Sequence, residues 1–414
     1  MNLVLRAILI AQRTNLVIAY WWYRAFDRRD ARNSIDWVVG CDELASMVYQ
    51  IGHAIPRSFT VSFTQDGAYD LTYDYGYRKG TSPRRRARWK LLIGPFLLGK
   101  LMNRARGFLY FGPTGFLMEN FDRRVFEFAF LKKHGKRIAL YWSGSDIRST
   151  ALMHELEHTS GQPNISTYIG QITPYFETPE HEAVQRERAR VTDVYADVVF
   201  NFPTDQRSYI TRHQEPYFYL MPEDRVVDSS AKFEDLSRLV LTHATTSPII
   251  KGTALVRAAV EKLRAEGYDF EYIELIGVGN TELLEVLGRT HIALNQFYGF
   301  TTTIFGVEAL AARCVLLASS DGTVETYLPP HANDAMMVTK HWQVYDNLKY
   351  LLDDPARIEP LARAGQEWVK EYASGASNGP RLSSILNLVL DGNYNEVSRR
   401  LLTIDEIFGP APRP

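Results

Sequence analysis

Lys251 and Gly252 follow the strand-like segment LVLTHATTSPII and precede a helical pattern. A lysine placed there can reach into a cleft beyond the strand, and the glycine lets the chain turn closely behind it; the alternative is a solvated lysine ahead of a helix. Further on, GFTTTIFGVEALA sets Thr301, Thr302 and Thr303 before a helix that begins near Ile304. Threonines suit the capping position, and the free N–H groups and positive dipole end of such a helix suit a phosphate. Glu308, about one turn in, can accept hydrogen bonds from the two hydroxyls of a ribose, or serve helix stability alone. A Lys-Gly after one strand, joined to a threonine-rich helix start and a glutamate after a later one, is a set suited to phosphate and ribose.

Other residues carry two readings each. His243 ends the strand LVLTH, where it either orients a ligand or is satisfied within its own loop. Asp146, in the run Gly144-Ser145-Asp146, stands where a strand is expected to end: it contacts sugar or acceptor hydroxyls, or caps the next helix. His154-Glu155-Leu156-Glu157-His158 matches HExxH, in which two histidines one turn apart bind zinc. The zinc reading is opposed by a charged Glu157 and by TSGQPN following at once. Gly277-Val-Gly-Asn is a fragment of a dinucleotide fingerprint without its third glycine, too little to indicate an oxidoreductase.

These residues need strands to carry them. DWVVG, SFTVSFT, GFLYFG, KRIALYWSGSD and ADVVFNFP read as strands of a first α/β unit, and Gly40 is expected to turn the first strand into the helix DELASMVYQIGHA. LVLTHA, FEYIELIGV, HIALNQF and VLLASS alternate with helices more regularly. Such βαβ alternation implies a parallel doubly wound sheet whose ligands sit beyond the carboxyl ends of its strands. Two α/β, Rossmann-like doubly wound domains with a cleft between them are therefore expected. The polar stretch at residues 219–238 is the expected linker. The resulting division is an N-terminal amphipathic segment 1–35, a first domain 36–222, a second domain 236–375 and a helical tail 376–414, whose helix RLSSILNLVL packs back across the boundary. A length of 414 residues accommodates this at roughly 150–200 residues per domain.

Composition sets limits. Apolar residues at 45% and charged residues at 23% are ordinary globular values, and a net charge of −1 argues against a general nucleic-acid binder. The two cysteines, Cys41 and Cys314, form neither a disulfide framework nor a metal pair, and a reducing cytoplasm is the expected compartment. No DxD occurs in the chain, so nothing in it calls for a bound metal.

HATTSPIIKGT, ELIGV, GVEALA and the LLDDP helices together resemble the retaining glycosyltransferases of the group 1 (family 4) type, which have the two-domain GT-B fold. The likeness covers residues 239–372 and touches the first half through GSDIR and the Gly40 turn. By that resemblance Lys251 neutralises the donor diphosphate, with Gly252 behind it. Thr302 and Thr303 offer backbone N–H groups at the helix start by Ile304, Glu308 holds the ribose, and Gly277 with Val278 lines the base. The acceptor side would include Gly40, Gly144 and Ser145. Many members carry a second glutamate eight residues before the one matching Glu308; here that place is Phe300, and Asn295 with Gln296 is expected to take over part of its sugar contact. The implied partners are a nucleotide sugar donor, as co-substrate without a metal, and a glycan or lipid-linked acceptor. A non-catalytic nucleotide-sugar-binding or scaffold protein of the same fold is the alternative.

The near-neutral total hides a basic segment. Between Asp74 and Glu119 there is no acidic residue, while Arg78, Lys79, Arg84, Arg85, Arg86, Arg88, Lys90, Lys100, Arg104 and Arg106 are basic, interleaved with Trp89 and LLIGPFLL. With Trp21, Trp22 and Tyr23 this predicts docking on an anionic membrane surface, on the inner face of the cell membrane. The alternative is a core helix with solvated arginines or a site for a polyanionic acceptor.

Overall fold

The computed structural model describes residues 3–27, 34–64, 69, 71–77, 80–118 and 122–395. Arg78, Lys79 and the tail from 396 onward lie outside the described residues. The first sheet has seven strands: β1 (Ile35–Cys41), β2 (Ser58–Ser62), β3 (Tyr75–Gly76), β4 (Ala105–Phe111), β5 (Arg137–Tyr141), β6 (Val198–Asn201) and β7 (Glu215–Pro216). They lie in the order β3-β2-β1-β4-β5-β6-β7, each pair parallel. The second sheet has β8 (Leu239–Thr245), β9 (Phe270–Ile276), β10 (Ile292–Leu294), β11 (Val315–Ala318) and β12 (Met337–Val338), also parallel, in the order β12-β11-β10-β8-β9. Both are doubly wound. In each the direction of winding reverses once, between β1 and β4 in the first and between β8 and β10 in the second, and ligands of such sheets bind beyond the strand ends at that point.

Local chemistry accounts for the elements. The helix Thr253–Ala265 buries Val256, Ala259, Val260 and Leu263 on one stripe, and Gly267 ends it at φ +95 while Tyr268 N returns to Leu263 O at 3.2 Å. The helix α2 (Met47–Ala54) begins later than the sequence pattern predicts. Glu43 is the reason: its carboxylate accepts from Val48 N (3.3 Å) and Tyr49 N (3.1 Å), capping the helix from outside and leaving Asp42 in the connecting loop. Gly40 does not make the turn expected of it. It sits inside β1, where a Cβ would stand 2.4 Å from Val61 O of β2, so the residue is needed for close strand approach rather than for turning.

The chain passes between the two sheets twice, side by side. Met221 N donates to Ala373 O and Gly375 N to Met221 O, both at 2.8 Å, and Asn378 Nδ2 donates to Tyr219 O (2.8 Å) and Tyr372 O (2.7 Å). The start of the expected linker, Tyr219–Met221, is thus buried rather than solvated. The last helix, Gly375–Leu390, does pack back on the first unit, with Gly379 against Ala54.

Two long helices flank the first sheet. α1 (Leu3–Phe26) and α3 (Pro83–Arg104) run in the same direction: Gln12 Nε2 donates to Leu91 O (3.1 Å), Asn103 Nδ2 to Tyr20 O (3.0 Å), and Arg104 pairs with Asp27 (2.7 Å). Gly99 permits the contact, since a Cβ there would lie 2.7 Å from Ala19 Cβ and 2.8 Å from Tyr20 N. Gly99→Leu is expected to destabilise the protein by about 1–3 kcal/mol through overpacking. Urea unfolding should show the loss, and limited proteolysis should show α1 cut first.

Candidate functional site

The two reversal points open on one cleft of 730 Å³. On the first sheet, the loop after β1 brings Asp42 and the loop after β4 brings Gly112 and Pro113. Asp42 Oδ2 accepts from Thr114 N at 2.9 Å, and Gly112 (φ +72) passes so near it that a Cβ would lie 3.1 Å from that oxygen. On the second sheet, Lys251 follows β8 and Gln296 follows β10, and the lysine Nζ donates to Gln296 Oε1 across the reversal. Burial lowers the Lys251 ammonium to about 8; the nearby Asp205 charge opposes that shift and Arg148 adds to it.

A bracket of amides shapes the threonine loop. Gln296 Nε2 donates to Thr301 O (2.7 Å) and Asn295 Nδ2 to Thr302 O (2.5 Å), while Asn295 Oδ1 accepts from Thr303 Oγ1 (3.1 Å). Thr303 takes φ +61, starts the helix Thr303–Ala311, and accepts from Gly306 N at 3.4 Å, which is the capping expected of this run. Asn295, Gln296, Thr303 and Ile304 all line the cleft, as do Gly277 (φ +67) and Val278 beyond β9. Thr302 points away, its hydroxyl against Met336 Sδ at 3.8 Å. Gly252 (φ +81) lies behind Lys251 as the joint between the turn Pro248–Lys251 and the next helix, outside the cleft wall.

Glu308 opens on a smaller adjoining cavity of 40 Å³ that shares Ala45, Met47, Tyr219 and Ile304 with the cleft wall. Its Oε1 accepts from Asn280 Nδ2 (2.7 Å) and Tyr69 OH (3.4 Å), and Arg225 holds Asn280 in turn at 3.1 Å. Burial raises its pKa, with Asn280 and then Arg225 working the other way.

His243 does not reach the cleft. It is fully buried, with Nδ1 bound to Leu294 O and Nε2 to Thr253 Oγ1, both at 2.8 Å, and burial lowers its pKa. Both ring nitrogens are used in joining β8 to β10 and to the following helix, so orienting a donor is not its role here. Gly144, Ser145 and Asp146 do line the cleft. The Asp146 carboxylate is turned back on its own loop, accepting from Gly144 N (2.8 Å), Ser143 N (3.1 Å) and Ser143 Oγ (3.2 Å), and the next helix is capped instead by Ser149. Gly40 is buried in β1 and is not on the acceptor wall.

The histidines of HExxH sit on the helix Thr150–Ser160 outside the cleft; His154 Nε2 meets Glu177 at 3.0 Å and His158 is exposed. Among the described residues no three His, Cys, Asp or Glu side chains are grouped so as to hold a metal ion.

Sequence reasoning missed the ties between the two units. Asp205, in the loop after β6, accepts from Arg148 NH2 (2.9 Å) and from Phe300 N (2.6 Å) across the cleft, with the Arg148 and Asp205 side chains only 6% and 4% exposed. Glu325, from the second unit, accepts in return from Thr204 N (2.9 Å) and Asp205 N (2.8 Å), and burial pushes its pKa up to about 7. The Phe300 ring packs with Met153 and Ile165 of the first unit. Asp205 had a sequence signal, a carboxylate just past a strand end in a doubly wound sheet; Glu325 had none.

No protein-family model matches the sequence, and no curated protein matches it significantly. Solved structures do match in fold. HepE from Anabaena, solved in complex with UDP and glucose, aligns at TM-score 0.52 and 9% identity over 86% of this chain and 100% of that one. Sucrose-phosphate synthase from Thermosynechococcus elongatus aligns at 0.52 and 11% over 86% and 99%, and WaaG, a glycosyltransferase involved in lipopolysaccharide biosynthesis, at 0.52 and 11% over 83% and 98%. The likeness is one of architecture: two Rossmann-like units in the GT-B arrangement.

The bracing of Asp146 leads to a direct test. Asp146→Ala should lower stability by about 1–3 kcal/mol, because the buried N–H groups of its turn lose their acceptor. Asp146→Asn should recover part of this in urea unfolding, since the amide keeps one oxygen to accept from Gly144 N.

Proposed function

We propose that the chain transfers a sugar from a nucleotide diphosphate donor to a hydroxyl of a glycan or glycolipid, with retention at the anomeric carbon, in the assembly of cell-surface polysaccharide. The observation that carries this is Lys251 set across the β8/β10 reversal from the bracketed threonine loop, so that an ammonium and a helix N-terminus face one cleft. Together they suit a diphosphate leaving group, and no metal ion is needed in this reading. Gly277 and Val278 would line the base, Glu308 the ribose through the adjoining cavity, and Asn295 with Gln296 part of the sugar. The Gly144–Asp146 loop and Asp42 would face the acceptor.

The cleft carboxylates Asp42, Glu43, Asp146 and Asp205 each accept hydrogen bonds from the protein. In this reading the departing diphosphate itself receives the acceptor proton. The acceptor oxygen bonds to the anomeric carbon on the face the phosphate leaves, the carbon–oxygen bond to the diphosphate breaks, and the acceptor proton passes to that phosphate oxygen. Lys251 and the helix N–H groups oppose the charge that builds there. Phe300, an apolar ring where a carboxylate would touch the sugar, favours a second reading in which the protein binds the donor without turning it over.

Thermal shift with a panel of nucleotide sugars should identify the donor, because a ligand of the native state raises Tm. NMR of the product anomer then tests retention. Lys251→Ala should lower turnover about 100-fold with the fold intact, and Glu308→Ala should mainly weaken donor binding. His154→Ala should leave transfer unchanged. Wild-type donor affinity and rates in both of the first two variants would place the site elsewhere; an unaltered wild type that binds donor but transfers nothing would establish the second reading.

The lysine also sets a pH limb. Its folded value of about 8 means that kcat/KM should fall as pH rises through that point and the ammonium is lost. A bound diphosphate favours the charged form, so the limb in kcat should lie at higher pH.

A further inference from the structure

α1 presents an unpartnered apolar face. Leu9, Leu16, Ala19 and Tyr20 are buried against the first unit, while Ile10, Ile18, Trp21, Trp22 and Phe26 face outward, with Trp22 60% and Phe26 71% exposed. α3, alongside it, carries an outward stripe at helical spacing: Arg85, Arg88, Trp89, Leu92 and Phe96, with Leu92 65% exposed. The contacts pairing Gln12 with Leu91 and Tyr20 with Asn103 set this stripe level with the N-terminal half of α1, beside Ile10 and short of Trp21, Trp22 and Phe26.

The two helices contain three and seven basic residues and no acidic one. Arg13 and Arg104 are paired with Asp122 and Asp27, but Arg84, Arg85 and Arg88 at the start of α3 are exposed. Exposed rings, aliphatic side chains and cations on one pair of helices match the interfacial layer of an anionic bilayer: apolar groups enter the acyl boundary and arginines stay with the headgroups. We infer that the α1–α3 pair is a docking surface for an anionic lipid membrane, lying in the plane of the leaflet.

Neither of the other geometries fits as well. No helix among the described residues is long and apolar enough to cross a membrane, and α1 has its opposite face packed on protein. A second copy of the chain on this face would set cations against cations.

The buried sides of both helices lie near the cleft wall. Gln12 Oε1 accepts from Met118 N at 3.0 Å and Gly94 of α3 lies against Phe116 O, three residues after Pro113 on the cleft wall, roughly 10 Å of chain at most. Docking would bring the first-sheet side of the cleft close to the leaflet. The docking itself rests on the helices alone, and only this last consequence leans on the proposed transfer to a lipid-borne acceptor.

The test needs no donor and no activity, so its failure is separate from that of the transferase reading. The whole chain is sedimented with vesicles of phosphatidylcholine alone and of phosphatidylcholine mixed with phosphatidylglycerol. Binding is expected only to the mixed vesicles, weakening as salt rises. Arg84→Ser, Arg85→Ser and Arg88→Ser combined should weaken it about tenfold or more. Lipids brominated in the acyl chain should quench tryptophan fluorescence, less so in Trp21→Ser/Trp22→Ser/Trp89→Ser and unchanged in Trp342→Ser, which alters an exposed tryptophan of the second unit. Circular dichroism and Tm establish that each variant folds, and the wild-type measurements decide the matter without them. Equal binding to both vesicles, binding to neither, anionic binding without acyl-chain quenching, or a solution dimer lost in the tryptophan variant would each overturn the inference.

Discussion

Two buried carboxylates hold the units of this protein in register. Asp205 of the first unit reaches the backbone of Phe300 in the second, and Glu325 of the second reaches the backbone of Thr204 and Asp205 in the first. Each is deeply buried, and a buried carboxylate is tolerable only when its oxygens are met by donors. Arg148 supplies the counter-charge for Asp205. The exchange is reciprocal, so the loop after β6 and the segment 300–325 cannot shift independently without leaving a buried charge unpaired.

The geometry of the cleft follows from that constraint. With Phe300 N held, the threonine loop that begins beside it is bracketed from the other side by Asn295 and Gln296, and Gln296 also receives Lys251. The positive groups of the second unit are thus placed by amides at one strand end, facing the Asp42 and Gly112 loops at the reversal of the first sheet. The Phe300 ring closes the edge of the junction with Met153 and Ile165 through an apolar contact. Behind the cleft, the paired crossings at Met221 and Ser374 and the return of the last helix onto α2 join the two cores into one.

Much of this was legible in the chain. Buried parallel strands read as continuous apolar runs, helices showed their stripes, and the Lys-Gly and Thr-run motifs lay where a doubly wound sheet presents its ligand loops. Those signals are local, because strand and helix periodicity and capping chemistry depend on neighbours a few residues away. Where the local rule competed with a distant contact, it misled. Gly40 looked like a turn residue, yet Val61 O from the adjacent strand requires it.

What the sequence determined, then, was the identity and order of the elements, the polarity of their faces and the residue types available at the strand ends. What only the tertiary structure decided was which of those residues meet. His243 had the right chemistry and strand-end position, but Leu294 O and Thr253 Oγ1 engage both of its ring nitrogens. Asp205 and Glu325 lie 120 residues apart in the chain and become partners through a domain interface. A hydrogen bond is satisfied by whatever donor the fold brings within about 3 Å, and no pattern within one segment encodes which donor that will be.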